Sequence, residues 1–176
     1  MSFIDAHSLS DAFLGYRIGR LLDLISEQGD EYHHDAGLSF PARANSTIMV
    51  IDEHENVCVA DITDELTLPH QLVAQRVELL VELGLVVKKP DPDDGRRKIL
   101  KLTKKGKQEV VLLRRCLADA VHAFNILFDE IGVDLNKVSR LATDAFMNKP
   151  LSERISQACA EETKTASVRK AKLGNA

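Results

Sequence analysis

The stretch TLPHQLVAQRVELLVELGLVVKKPDPDDGRRKILKLTKKGK, residues 67–107, decides how this chain of 176 residues is interpreted. Val73, Val77 and Leu80 recur at the spacing of one face of an α-helix. The turn-rich segment 90–95 then separates two short runs of apolar and basic residues, which predicts two antiparallel strands joined by a charged tip. The stretch therefore predicts a helix, a β-hairpin and the start of a further helix, in this order.

Four residues refine these elements. Pro69 is predicted to be the first helical residue, because its missing N–H is not needed there, and Gly84 is predicted to end the helix. Thr103 is predicted to be the N-cap of the helix that follows the hairpin. Arg76 falls within the apolar sector of the first helix. We expect its stem to be buried and its guanidinium to extend to an acid or a phosphate.

The charge of the chain is concentrated in the hairpin and the residues that follow it. Residues 88–107 hold nine Lys or Arg and three Asp, a net charge of +6, whereas the whole chain has a net charge of −4. Such local asymmetry indicates an anionic partner, and nucleic acid is the first candidate. Lysines at the start of the helix that follows the hairpin oppose the dipole of that helix, which phosphate contacts would explain. A solvated charged turn is the alternative.

The outer face of the first helix offers side chains that suit a DNA groove. Gln71 and Gln75 carry amides that can read adenine, and the methyl group of Ala74 can contact thymine. A surface helix with ordinary polar residues has the same composition, so this alternative stays open from the helix alone. Asp61–Leu66 predicts a short helix immediately before it, with the turn at Thr67, and Val57–Val59 predicts a short strand paired with the hairpin.

Taken together, these residues resemble the winged-helix core of the MarR family of transcriptional regulators. The resemblance lies in the following positions at fixed spacing: Leu79, Leu80, Gly84-Leu85-Val86, Asp91-Pro92-Asp93-Asp94, Arg96, Leu100, Leu102-Thr103 and Gly106. It is strong over about 40 residues. Thr67 stands where glycine is common in the family.

The resemblance implies how the chain would bind double-stranded DNA. The matched helix would enter the major groove, with base-edge contacts from His70, Gln71, Ala74 and Gln75. Arg76 is expected to contact DNA from the same helix, and Arg96 would enter the adjacent minor groove with Asp94 as its orienting residue. Phosphate contacts are expected from Lys88, Arg97, Lys98 and Lys105.

The predicted fold class is mainly α with a small β-wing. A winged helix-turn-helix domain, residues 39–103, would be joined to a helical dimerisation lobe formed by residues 1–38 and 104–160. The lobe would include one long helix from Thr103 to about Ile131 and a last helix from Asp134 to about Ala160. Residues 161–176 are polar and predict a flexible tail. The resemblance implies a homodimer, and an intramolecular three-helix bundle is the alternative.

The resemblance also implies a small aromatic or lipophilic effector, bound where the dimerisation lobe meets the winged domain. The cleft is expected near Leu14, Ile18, Phe40, Ile48 and Leu112, and the alternative is that these residues are plain core. We therefore predict a sequence-specific transcriptional regulator, most simply a repressor, that binds a pseudo-palindromic operator as a homodimer. An architectural or protein-interaction winged helix without promoter-specific regulation is the second interpretation.

Other classes of protein have little support in the sequence. We find no apolar run long enough to span a membrane and no signal-peptide pattern, so we expect a cytoplasmic protein. Cys58, Cys116 and Cys159 form no C-x-x-C motif, and we expect no disulfide; thiol sensing is the alternative. Adjacent His33 and His34 do not have a metal-ligand spacing. No metal, cofactor or enzymatic activity is predicted.

Overall fold

The computed structural model describes residues 2–92 and 94–173, the last ten of these through their backbone alone. Two compact units are present, the first ending at Ala120 and the second beginning at Val121. The elements of the first unit are α1 (Phe3–Ala6), a 3-10 turn (Ser10–Phe13), α2 (Leu14–Asp35), a second 3-10 turn (Ala42–Ala44), α3 (Asn45–Glu53), α4 (Val59–Leu66), α5 (His70–Glu82), β1 (Val86–Pro90), β2 (Lys98–Leu102) and the first part of α6 (Lys104–Ile131). The second unit contains the end of α6, α7 (Leu135–Asn148) and α8 (Leu151–Leu173).

The predicted mainly helical fold with a two-stranded wing is confirmed. β1 and β2 pair antiparallel, with Val86 opposite Leu102 and Pro90 opposite Lys98. The α4–turn–α5 pair precedes this hairpin, as the periodicity predicts. Asp93, which belongs to the motif of the wing tip, and residues 174–176 lie outside the described residues.

The core of the first unit lies between α3, α4, α5, the wing and the start of α6. Val73, Val77 and Leu80 of α5 are fully buried, which confirms the predicted apolar face. Their burial stabilises the position of α5, at about 1.5–3 kcal/mol for each large aliphatic side chain. The other buried members of this cluster are Leu38, Phe40, Ala44, Ile48, Ile51, Val57, Ile62, Leu85, Val86, Leu100, Val110, Leu113 and Cys116.

The two ends of α5 differ slightly from the prediction. Pro69 is the N-cap and not the first helical residue, because its backbone is extended and its carbonyl accepts the N–H groups of Leu72 and Val73 at 2.9 and 3.2 Å. Gly84 adopts a φ of 70°, and the N–H of Leu85 donates to the Leu80 carbonyl at 2.9 Å. The glycine therefore ends the helix through a left-handed backbone, as expected.

Thr103 and Gly106 anchor α6 to the turn between α5 and β1. The Thr103 hydroxyl donates to the Gly84 carbonyl at 2.7 Å and accepts the N–H of Gly106 at 3.0 Å, which confirms the predicted N-cap. A β-carbon on Gly106 would lie 2.1 Å from the carbonyl oxygen of Leu85. The Leu-Thr-x-x-Gly pattern is therefore a packing requirement, because α6 approaches the backbone of Leu85 too closely for any side chain at Gly106.

Several expected boundaries were wrong. The proposed strand at Val57–Val59 does not form; a single backbone hydrogen bond joins the Leu100 N–H to the Val57 carbonyl, at 2.8 Å. No third strand can extend beyond Val57, because Cys58 is the N-cap of α4. This helix begins at Val59 and not at Asp61 as predicted.

The C-terminal prediction needs a larger correction. Residues 134–160 form two helices separated at Pro150, and α8 continues to Leu173 through much of the expected tail. Asp134 caps α7 as predicted, accepting the N–H of Lys137 at 2.9 Å. The tail sequence has no apolar stripe, but it is rich in Ala, Glu, Lys and Arg, which have high intrinsic helix propensity.

Candidate nucleic-acid interface

The outer face of α5 presents the residues that were predicted to contact bases. His70, Gln71 and Gln75 are exposed, and Ala74 is half-buried. Within the described part of the chain, the side chains of His70, Gln71 and Gln75 make no hydrogen bond that would occupy their polar groups. The face therefore combines two free amides, an imidazole and a small residue, so hydrogen-bonding groups are available to an external partner.

Arg76 lies at the edge of the same helix, half-buried as predicted. Its Nε atom is buried without a hydrogen-bond partner among the described residues. Burial and the positive charge of Arg43 lower the pKa of the Arg76 guanidinium. An acid or a phosphate was predicted to contact Arg76. Among the described residues no acid does so, and the cation Arg43 lies nearby. An anion from outside the chain would give the Arg76 Nε a hydrogen-bond acceptor and offset the repulsion between the two arginines.

The wing tip is shaped by Asp94, but through the backbone. Its carboxylate accepts the backbone N–H of Arg96 at 3.0 Å, and its carbonyl accepts the N–H of Arg97 at 2.9 Å. The expected pairing between the Asp94 carboxylate and the Arg96 guanidinium is not formed. The Arg96 side chain is exposed and makes no ion pair with any residue in 2–92 or 94–173. Asp94 thus fixes where Arg96 leaves the turn, and its guanidinium remains available.

Arg97 connects the wing to α4. Its guanidinium forms ion pairs with Asp61 in the first turn of α4 and, at 3.4 Å, with the buried carboxylate of Asp91. Hydrogen bonds to the Cys58 sulfur and to Asp61 raise the pKa of Arg97. Desolvation opposes the ionisation of Asp61, but the N–H of Cys58, at 2.7 Å, and the Arg97 guanidinium lower its pKa overall. The Arg97 guanidinium is therefore committed to partners within the chain.

The remaining phosphate candidates divide into two kinds. Lys88 is paired with Glu78 of α5, and Lys105 donates to the Leu83 carbonyl at 3.0 Å with Glu109 at 3.7 Å. Lys98 is exposed and has no carboxylate partner in the described chain. Lys88 and Lys105 therefore connect the C-terminal part of α5 to the wing and to α6, whereas Lys98 has its charge free for an external anion.

Sequence reasoning missed the partners that organise these cations. Asp61 lies 36 residues before Arg97, and Arg43 approaches Arg76 from a separate 3-10 turn. Helical periodicity and turn chemistry describe neighbours within a few residues, so neither could have identified these contacts. The sequence predicted Asp61 only as the first residue of a short helix and gave no partner for its carboxylate.

The expected effector residues do not share one environment. Phe40 and Ile48 are buried in the core, whereas Leu14 and Ile18 are exposed and Leu112 is half-buried. None of the five lines the surface pocket between the end of α3, the wing and the first turn of α6. Their role as a ligand cleft stays a prediction, and for Phe40 and Ile48 the alternative of plain core has direct support.

His33 lies within the core and, among the described residues, not in a metal site. Residues 2–92 and 94–173 contain no group of three or more His, Cys, Asp or Glu side chains able to hold a metal ion. His33 is instead an internal hydrogen-bonding residue, with Nδ1 3.0 Å from the Phe40 carbonyl and Nε2 3.3 Å from the Asn45 amide. Among these residues, no helix combines the length and apolar character that crossing a bilayer requires.

Helix-turn-helix, wing and exposed second helix together define the class of winged helix-turn-helix proteins. Residues 37–97 match the sequence model described as the MarR family, which confirms the resemblance that the motifs predicted. No curated protein matches the chain in sequence.

Solved structures of regulators share the fold at low sequence identity. CouR of Rhodococcus jostii RHA1, described as a transcriptional repressor bound to a 23-mer DNA duplex, is 21% identical; the alignment covers 79% of this chain and 94% of CouR, with a TM-score of 0.59. PcaV of Streptomyces coelicolor, in complex with its natural ligand, is 19% identical over 82% of this chain and 98% of PcaV, with a TM-score of 0.56. A MarR regulator from Methanosarcina mazei Go1 is 18% identical over 80% and 98%, with a TM-score of 0.56.

Proposed function

We propose that the chain is a transcriptional regulator that binds a pseudo-palindromic operator in double-stranded DNA as a homodimer. In this proposal α5 enters the major groove and Arg96 enters the neighbouring minor groove. Lys98 and Arg76 neutralise backbone phosphates, so affinity falls steeply with salt. The proposal includes no enzymatic activity.

One observation supports this function most directly: the exposed face of α5 is flanked by guanidinium groups without an anionic partner inside the described chain. Arg96 is exposed at the wing, and Arg76 has a buried, unpartnered Nε beside the charge of Arg43. By contrast, Arg97 and Arg114 are matched by internal carboxylates. A chain with a net charge of −4 that leaves these particular cations unmatched is suited to a polyanion at this surface.

The homodimer is supported by apolar faces that each unit leaves uncovered. Five large apolar residues along α2 are between 41% and 61% exposed: Leu14, Ile18, Leu21, Leu22 and Ile25. Among the described side chains of α7 and α8, six are between 44% and 76% exposed: Val138, Leu141, Phe146, Met147, Leu151 and Ile155. Apolar faces of this extent mark surfaces that bind another protein. The proposal assigns them to a second copy of the chain, which gives two α5 helices for two half-sites.

Release by a small effector completes the proposed regulation. CouR of Rhodococcus jostii RHA1 is described as bound to p-coumaroyl-CoA, and PcaV as bound to its natural ligand. For this chain we propose an aromatic or lipophilic effector that favours a dimer whose α5 helices no longer match the operator. Repression by occlusion of a promoter is the simplest outcome, and a DNA-binding regulator of this kind would act in the cytoplasm.

Selection from a random duplex library with the full-length protein tests the function. We expect enrichment of a pseudo-palindrome whose half-site centres lie about 10 bp apart, because two recognition helices on one DNA face are separated by one helical turn. The Arg96→Ala variant should lose enrichment at the positions read from the minor groove. Retained binding without enrichment of any sequence would contradict the proposal and favour an architectural winged helix.

A further inference from the structure

The first unit contains a second cationic surface that the proposed DNA interface does not use. A pocket of about 410 Å³ lies between the end of α3, the wing and the first turn of α6. Its lining residues are Ile51, Asp52, His54, Glu55, Lys89, Lys101, Leu102 and Lys107. Three separate elements therefore contribute one or more lysines or acids to the same concave site.

The register of the wing places two of these lysines on the sheet face opposite α5. Side chains of a strand alternate between faces, and residues paired across antiparallel strands share a face. Lys88 extends to Glu78 of α5, so Lys89 belongs to the other face. Lys101 is paired with Val87, one strand position from Lys88, and shares the face of Lys89. The pocket lysines are therefore directed away from the helix proposed to enter the major groove.

The charges around the pocket are unbalanced. Lys89, Lys101 and Lys107 form no ion pair with any residue in the described chain. Asp52, on the pocket's rim, is held at 2.8 Å by Arg114, and the other titratable groups facing the pocket are Glu55 and His54. Ammonium groups gathered in this way repel one another unless an anion lies among them.

The base of the pocket is partly apolar. Ile51 is 4% exposed and belongs to the core, and Leu102 is half-buried against it. A mixed lining of aliphatic carbon and cations favours a ligand that has a compact anionic group on a small organic body. Inorganic counterions would satisfy the charge but would make no use of the apolar surface.

We propose that this pocket binds a small organic polyanion, with phosphate or paired carboxylates held by Lys89, Lys101 and Lys107. The ligand's carbon skeleton lies against Ile51 and Leu102. The site is separate from the DNA surface, and its existence does not depend on the proposed function.

Isothermal titration of the full-length protein at low ionic strength tests the site, with pyrophosphate and citrate as probes and a neutral polyol as the negative probe. The wild type should bind at least one of the two anions and not the polyol. Pyrophosphate alone would indicate a phosphate site, and citrate alone a polycarboxylate site. The triple variant Lys89→Gln, Lys101→Gln, Lys107→Gln should bind at least about tenfold more weakly, since several charge contacts are lost.

Lys104→Gln is the matched control, because Lys104 lies in the same turn of α6 as Lys107 but outside the pocket lining. It should change anion affinity by less than about twofold. Equal binding by the wild type and the triple variant, or an equal loss in the control, would overturn the proposal.

Titration of the same proteins with DNA separates this site from the proposed function. Retained DNA affinity in the triple variant, with anion binding lost, supports an independent site. A triple variant whose salt slope for DNA falls by about three, with no anion binding in the wild type, would overturn the proposal and assign these lysines to DNA phosphates. Anion binding without any DNA binding by the wild type would contradict the proposed function and leave the pocket standing.

Discussion

Arg97 of the wing and Asp61 of α4 form an ion pair across 36 residues of sequence, and this pair joins the wing's second strand to the helix-turn-helix. Asp61 also accepts the N–H of Cys58 at 2.7 Å, so the carboxylate that holds the wing also caps α4. Arg96, the proposed minor-groove residue, is the immediate neighbour of Arg97. The proposed placement of the Arg96 guanidinium in the minor groove therefore depends on the internal contacts of Arg97.

Replacing Arg97 should reveal a positioning residue and not a phosphate contact. Arg97→Ala is expected to weaken operator binding on the order of fivefold, and Asp61→Asn should do the same, because each frees the wing. The double variant should be no weaker than the weaker single variant. Fluorescence anisotropy at several salt concentrations measures the affinity for the operator and the dependence of that affinity on salt. A salt slope reduced by about one in Arg97→Ala, with additive losses, would show that Arg97 contacts phosphate after all.

The acid sensitivity of the same pair follows from the lowered pKa of Asp61. A carboxyl group whose pKa is lower in the folded state contributes stability above its unfolded pKa, and this contribution disappears as the pH falls through the folded value. The ordinary pKa here is 3.8 and the folded value lies below it. Urea unfolding should therefore find wild type more stable than Asp61→Asn at neutral pH, and the gap should close below about pH 4. A gap that is constant from pH 7 to pH 3 would contradict the assigned cause.

Gly106 should tolerate no side chain. In Gly106→Ala the new methyl group meets the Leu85 carbonyl at 2.1 Å, so α6 must move away from the turn between α5 and β1. Overpacking of this kind costs about 1–3 kcal/mol, measured by chemical denaturation. Gly95→Ala is the control, because a β-carbon there meets no atom within 4 Å, and it should leave stability nearly unchanged. Equal effects of the two substitutions would exclude the close approach as the cause.

Thr67 is a site where the chain should gain stability. It adopts a left-handed backbone with φ 51° and ψ 42°, which is costly for a β-branched residue. Thr67→Gly should raise the free energy of unfolding by about 1 kcal/mol. Thr67→Ala retains a β-carbon and should gain much less, so thermal melting of the two variants separates relief of backbone strain from loss of the hydroxyl. A destabilised glycine variant would contradict the assignment.

Local patterns predicted the parts of the fold that depend on local chemistry. The apolar spacing of Val73, Val77 and Leu80, the left-handed Gly84 and the Thr103 cap all act within a few residues, and each forms as expected. The same patterns could not predict where α2 contacts the 3-10 turn at Ala42–Ala44. The carboxylate of Asp30 accepts the Ala42 N–H at 2.6 Å, and this contact connects segments whose sequences carry no sign of each other.

The candidate site was predictable in its composition and not in its connections. The basic segment and the Asp94-Gly95-Arg96 pattern identified the wing, and Arg96 is exposed there as expected. The sequence analysis gave Arg97 and Lys98 the same role as phosphate contacts, because adjacent cations look alike without their partners. Only the structure separates Arg97, held by two carboxylates, from its neighbours.

The central claim is that the Arg96 wing and the face of α5 bind a specific DNA sequence, and a single titration tests it most directly. Wild type and Arg96→Ala would be titrated against DNA from upstream of the chain's own gene and unrelated DNA of equal length, at two salt concentrations. We expect a salt-sensitive complex of a dimer with the upstream DNA, and at least about tenfold weaker binding by Arg96→Ala, which remains a dimer. Equal affinity of wild type and Arg96→Ala for the upstream DNA would contradict the assignment of the wing, and no binding to either DNA would contradict the DNA-facing surface as a whole.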